Sequence, residues 1–190
     1  MIRQITLKTQ EEMNIYMNPQ RQRLLKTLDI LAIPVTPKQL SAYLGISSSA
    51  VTYHLKKLEI LGVVEIERTE LIHGITAKYY KRVPVMVNLG SGKEDDLETE
   101  RIMLSDYYMN ETWKGFKNYV RQMGEQNDAG VTGDAMNSIL YVTEAEAKQL
   151  KALIMEFYAS HMEPAQDTVA WETAIIAFPH FMDRSKTTEG

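Results

Sequence analysis

Between residues 18 and 61 the apolar positions recur every three or four residues, and between 62 and 83 every two, so this stretch reads as helices followed by a hairpin. After a short extended start, Asn18-Pro19 supplies an N-cap and a proline at the first helical position, and Leu24, Leu25, Leu28 and Leu31 continue at helical spacing. Thr36-Pro37 repeats that start signal before Leu40, Tyr43 and Leu44, and Gly45 stops this short helix. Ser47 or Ser48 caps a third helix, in which Val51, Leu55 and Leu58 form one apolar stripe that Leu61 extends and Gly62 ends. From there Val64, Ile66, Ile75, Ala77 and Tyr79 alternate with Glu65, Glu67, Thr76, Lys78 and Tyr80, which predicts a β-hairpin with its tip at Thr69 to Gly74.

The remainder carries a weaker pattern. Leu97 to Gln126 reads as one long or broken helix on Met103, Tyr107, Trp113, Phe116, Val120 and Met123, weakened at Gly115 and Gly124. Its broad Met- and aromatic-rich face suits a dimer interface or core. Met136 to Val142 is strand-like. Thr143-x-x-Glu146 is a capping box for a helix carrying Ala147, Leu150, Leu153, Ile154, Phe157 and Tyr158, which Glu163-Pro164 ends. Val169 to Phe178 alternates like a second strand covered on both faces. Asn88 to Asp96 is polar, glycine-bearing and aperiodic, as linkers are. The expected organisation is therefore an N-terminal domain at 1–87, a linker at 88–96 and a C-terminal domain at 97–190. The fold class is α+β, with a smaller, mainly helical α+β unit in second place.

A short helix, a glycine-containing turn and a longer helix make a helix-turn-helix, and a hairpin after it makes the unit winged. Leu40 and Leu44 must then pack on Val51, Leu55 and Leu58, with Gly45 taking the left-handed turn, and the opposite face of the third helix stays free. On that face lie Ser48, Ser49, Thr52, Tyr53 and Lys56, small hydrogen-bonding groups followed by a cation, which suits insertion into a major groove. The hydroxyls can meet base edges or phosphates, and Lys56 and Lys57 are placed for phosphate. In the hairpin Arg68, His73 and Lys78 are candidates for minor-groove or flanking-phosphate contact, while Glu65, Glu67 and Glu70 oppose a strongly basic tip. Tyr53 has two readings, a base or sugar contact and packing against the wing. Arg21 and Arg23 either approach phosphate or belong to a solvated face or an internal ion pair. His54, at the margin of the apolar stripe, reads first as a half-buried structural histidine and second as a ligand or pH switch.

Charge divides along the same boundary. Residues 1–85 hold 12 Lys+Arg against 7 Asp+Glu, net +5, and residues 86–190 hold 9 against 18, net −9, so the chain total of −4 conceals a basic unit joined to an acidic one. Phosphate neutralisation needs local positive charge whatever the total, so the first unit suits a polyanion and the second does not. The absence of cysteine removes disulfides, thiolate metal sites and cysteine nucleophiles together, and fits a reducing cytosol. The first residues lack the apolar stretch of a secretory signal, and no apolar run approaches the roughly 20 residues of a membrane span, so a cytoplasmic protein away from the membrane is expected.

The segment Asn18-Pro19-x-Arg21, then Leu40-Ser41-x-x-Leu44-Gly45-Ile46-Ser47-x-Ser49-x-Val51-x-Tyr53-His54-Leu55-Lys56-Lys57-Leu58-x-x-Leu61-Gly62-Val63-Val64, resembles the arsenical-resistance repressor (ArsR-type) winged-helix family of transcription regulators. The resemblance covers about residues 15–83. It implies a homodimer on a pseudo-palindromic operator, a recognition helix from Ser48 to Leu61 and a wing at Thr69 to Gly74. Metal-sensing members use cysteine or His/Asp sets. This chain has no Cys, and His54, His73, His161 and His180 include no pair at the spacing that shares a helix face, so a non-metal-sensing member without cofactor is expected.

No nucleophile elbow, zinc-protease helix or dinucleotide loop occurs, so no enzyme activity is expected. Trp113, Tyr107, Tyr108, Trp171, Phe178 and Phe181 either form a core or line an apolar pocket for a small-molecule effector. The function read from the sequence is a sequence-specific regulator of transcription, a repressor acting as a homodimer on double-stranded DNA. The alternative is a protein-interaction adaptor whose winged helix no longer binds DNA.

Overall fold

The structure is a computed structural model and describes residues 3–88, 96–126 and 133–179. Contacts divide the chain into two units, Met1–Tyr107 with Asp134–Ala170, and Tyr108–Gly133 with Trp171–Gly190. The first contains β1 (Arg3–Thr6), α1 (Gln10–Met17), α2 (Pro19–Leu31), α3 (Pro37–Leu44), α4 (Ser48–Ile60), β2 (Val64–Ile72), β3 (Ile75–Arg82) and β4 (Val85–Asn88).

Helix α1 is an addition to the sequence reading. Thr9 Oγ1 accepts from the Glu12 N–H at 3.2 Å and Glu12 Oε2 accepts from the Thr9 N–H at 3.0 Å, a reciprocal capping box, and Met13, Ile15 and Tyr16 are buried. Asn18 Oδ1 caps α2 by accepting from the N–H groups of Gln20 and Arg21. The Arg21 side chain is buried and donates from Nη1 to the carbonyls of Asn14 at 3.2 Å and Ile15 at 2.7 Å. A guanidinium there satisfies carbonyls that the helix leaves open and complements the negative end of α1.

Thr36 and Gln39 form the capping box of α3, and Gly45 ends it at φ +67°, a left-handed turn that leaves α4 free to start at once. Leu40 and Leu44 of α3 and Val51, Leu55 and Leu58 of α4 are all buried, joined by Leu24, Leu25 and Leu28 of α2. The sequence stripe is thus the core of the unit.

The wing differs in its tip. Strand β2 continues to Ile72 and β3 starts at Ile75, antiparallel, so the turn is His73-Gly74 alone rather than Thr69 to Gly74. Both turn residues have positive φ, +49° and +79°, the geometry of a two-residue hairpin turn whose twist matches the strands. The wing is stapled to the helices by reciprocal bonds between Val35 and Tyr80, 2.8 and 2.9 Å, and both side chains are buried. Strands β1 and β4 pair in parallel from Arg3–Val85 to Thr6–Asn88. Apart from Asn88 and Asp96, the linker read at 88–96 lies outside the described residues.

Helix α5 (Glu98–Gln126) runs unbroken past Gly115 and Gly124, with Leu97, Arg101 and Leu104 buried at its start. Helix α6 (Glu144–Ser160) starts on the capping box read from Thr143 and Glu146. The second unit contains the later turns of α5, where Trp113 stacks on Phe116 at 5.5 Å and Thr112 Oγ1 donates to Glu172 Oε1 at 3.1 Å. The strands expected at 136–142 and 169–178 are absent among the described residues. A strand exists only against a neighbour, and neither segment has one here. The mixed helix-and-sheet class holds, with all described strands in the N-terminal part.

Two substitutions check this account by urea unfolding. Leu55→Ala removes a fully buried side chain and is expected to cost about 2–5 kcal/mol. Ala32, exposed at the C-cap of α2, sits at φ +52°, so Ala32→Gly is expected to gain about 0.5–1 kcal/mol.

Candidate nucleic-acid interface

The exposed side of α4 is built from its cap outward. Ser47 Oγ accepts from the Ala50 N–H at 3.2 Å and lies 3.0 Å from Ser49 Oγ. Ser48 Oγ donates to Ser41 Oγ of α3 at 3.2 Å, and Thr52 Oγ1 donates to the Ser48 carbonyl at 2.8 Å. Thr52 therefore spends its proton on its own helix and keeps a methyl group and acceptor lone pairs for an outside partner. Ser49 and Lys56 are exposed, Ser48 and Thr52 half-buried, and Tyr53 is 54% exposed with its ring edge-on to His54 at 5.4 Å. The thirteen residues of α4 span about 20 Å, more than the width of a major groove.

The remaining sequence candidates are placed differently. Lys57 is half-buried and lines a cleft with Tyr53, Arg21 and the α1 residues Gln10, Glu11 and Asn14, whereas Lys56 is open to solvent. Arg21 is buried, which overturns the solvated-face reading, and its guanidinium bonds backbone carbonyls of α1, a role that none of the sequence readings named. Arg23 is exposed and reaches Gln20 Oε1 and, at 3.5 Å, the Leu44 carbonyl.

In the wing, Arg68 is exposed but bonded to side chains of its own hairpin. Its Nε donates to Glu70 at 2.9 Å, its Nη1 to Glu67 at 3.1 Å, and its guanidinium lies 3.9 Å from the Tyr79 ring centre. Tyr79 completes the group by donating to Glu70 Oε2 at 2.9 Å. The Arg68 bond, then the Tyr79 bond, hold the Glu70 carboxyl below its usual range. Lys81 pairs with Glu65 at 3.4 Å, while Lys78 stands exposed opposite Thr69. Of the three carboxylates weighed against a basic wing tip, Glu67 and Glu70 thus act on Arg68 directly and Glu65 pairs with Lys81.

His54 is half-buried, and its Nδ1 is buried with no hydrogen-bond partner among the described residues. Burial first, and the neighbouring Arg21 charge second, push its pKa below 6.5. The ring is a half-buried packing element of α4 itself.

A helix pair turned about Gly45 thus presents a polar face at the start of its second helix, and a hairpin follows it. Residues 18–65 match the family described as bacterial regulatory protein, arsR family. Over those residues the chain is similar to an arsR-family regulator domain. The match takes in α2, α3 and α4 and stops as β2 begins, so it contains the whole polar face described above. The match supports a DNA-binding regulator of transcription. No curated protein matches the chain significantly. Among the described residues no helix is long and apolar enough to cross a membrane, and no three His, Asp or Glu side chains group as a metal site.

His54 makes stability pH-dependent with a definite sign. The unfolded chain takes up a proton at about pH 6.5 while the folded chain resists it, so stability is complete above that pH and falls as pH drops toward the depressed folded value. His54→Gln is expected to flatten the urea midpoint between about pH 7.5 and 5. An unchanged acid loss in that variant would place the titrating group elsewhere.

Proposed function

We propose that the protein is a repressor that binds a pseudo-palindromic operator as a homodimer, with residues 1–87 reading DNA and residues 97–190 holding two copies together. The observation that carries this reading is the coincidence of the arsR-family match with the exposed polar start of α4. In it, Ser48, Ser49 and Thr52 meet base edges or the adjoining phosphates, Tyr53 supplies an apolar contact, and Lys56 and Lys57 bind phosphate. Lys78 is the wing cation that reaches flanking phosphate, and Arg68 joins it when DNA phosphate competes with Glu67 and Glu70. The protein works in the cytoplasm, without enzyme activity, and a small-molecule effector of the acidic half sets its occupancy.

The adaptor reading has one observation in its favour. Leu71 and Ile75 at the wing tip are 76% and 73% exposed, apolar groups where a DNA-binding wing carries cations.

Fluorescence anisotropy with the protein's own upstream DNA and scrambled controls decides between them. Ser49→Ala and Thr52→Ala are expected to cost about 1–3 kcal/mol on the cognate site with loss of base discrimination. Lys56→Ala is expected to weaken all sequences alike and flatten the salt slope by about one unit. Glu70→Gln releases Arg68 and is expected to tighten binding to every sequence and steepen that slope. Equal effects of Ser49→Ala, Thr52→Ala and Lys56→Ala on cognate and random DNA would overturn the recognition face.

A further inference from the structure

Helix α6 is strongly specified and buries nothing. Its seventeen residues carry a complete N-terminal capping box and a Glu144–Lys148 ion pair, yet none of its side chains is buried. Leu150, Leu153 and Phe157, spaced three and four apart, are 43%, 57% and 64% exposed. Helices of this length draw most of their stability from packing an apolar face, and among the described residues this face stays exposed, with His161 stacked on Phe157.

The segment leading into it repeats the situation in extended form. Residues 136–142, Met-Asn-Ser-Ile-Leu-Tyr-Val, contain no charge, glycine or proline and favour strand. Met136, Ile139, Leu140, Tyr141 and Val142 are between 52% and 97% exposed. Among the described residues no backbone–backbone hydrogen bond ties this segment to another. Exposed apolar side chains and open backbone groups together make it an unpaired edge.

We propose that 136–142 and α6 form one self-docking surface, occupied by the same strand and helix of a second copy of this chain. The inference rests on the homodimer proposed above and names the surface that makes it. Area is the first argument. At about 150–250 Å² for a large side chain, the eight residues named expose roughly 1,000 Å² of apolar surface. A stable interface needs about 800 Å² from each partner, and monomers rarely expose more than a few hundred Å² in one patch.

Self-complementarity is the second. A two-fold axis at Ile139 lays the strand antiparallel on itself, so that Ile139 meets Ile139 and Met136 meets Val142, and an uncharged segment does so without like-charge repulsion. An axis between Leu153 and Ile154 likewise sets two α6 helices antiparallel, with Leu150 of one level with Phe157 of the other. The resulting symmetry is that of a palindromic site, in which two α4 helices must be presented about one DNA turn apart.

The test uses the full chain, which has no cysteine of its own. Sedimentation equilibrium is expected to show a dimer, and the double variant Leu153→Glu with Phe157→Glu to weaken it at least 100-fold while the helical circular dichroism of the winged domain persists. Ile139→Cys, near the centre of the paired strands, is expected to form an interchain disulfide on mild oxidation, since directly opposed residues lie about 4.5–5.5 Å apart. A dimer that survives the charges and gives no crosslink overturns the surface, even if it binds its operator selectively. A monomeric parent overturns both the surface and the homodimer, including the case where the charges lower its melting temperature because the arm covers its own chain. Dimers lost on substitution, in a protein that never distinguishes operator from scrambled DNA, support the surface and overturn the regulator reading.

Discussion

Everything in the N-terminal unit depends on burying one stripe. Val51, Leu55 and Leu58 are at zero exposure against Leu40 and Leu44, and this contact sets the angle at which α4 leaves the Gly45 turn. Because those residues occupy one side of the helix, Ser49, Tyr53 and Lys56 have only the other. The exposed polar face of α4 is thus a by-product of core packing. The reciprocal bonds between Val35 and Tyr80 fix the wing against the same core, so helix and hairpin are presented as one body.

Electrostatics then edits what the fold presents. The basic excess of the first 85 residues is not all available to a polyanion. Arg21 is committed to the carbonyls that end α1, Arg68 to Glu67, Glu70 and Tyr79, and Lys81 to Glu65. Arg82 is held by Asp29 at 3.2 Å. The cations left exposed include Lys56 on α4 and Lys78 on the wing.

The C-terminal part obeys another constraint. The capping box of α6 is as clear as that of α3 and its apolar stripe as clear as that of α4, but among the described residues no second element buries that stripe. A helix with no buried residue and two extended segments with no ladder are what a chain looks like when its pattern anticipates neighbours that one copy lacks.

The sequence by itself determined the helices at 19–31, 37–44, 48–60 and 144–160, because caps, proline starts and apolar spacing are local signals. It also determined which face of α4 is free, since a stripe at three and four residues has only one opposite side. Short α1 escaped it, since eight residues give barely two turns of period and its Thr9–Glu12 box went unread. The tip of the wing escaped it as well, because the polar residues of Thr69 to Gly74 look like loop until both His73 and Gly74 are seen at positive φ. Only the tertiary structure decided that Arg21 turns inward and that Glu70 holds Arg68, since both depend on which side chains the fold brings within hydrogen-bond reach. Strands at 136–142 and 169–178 were legible as pattern and failed as structure for one reason. Alternation is a property of the segment, whereas a strand is a property of a pair.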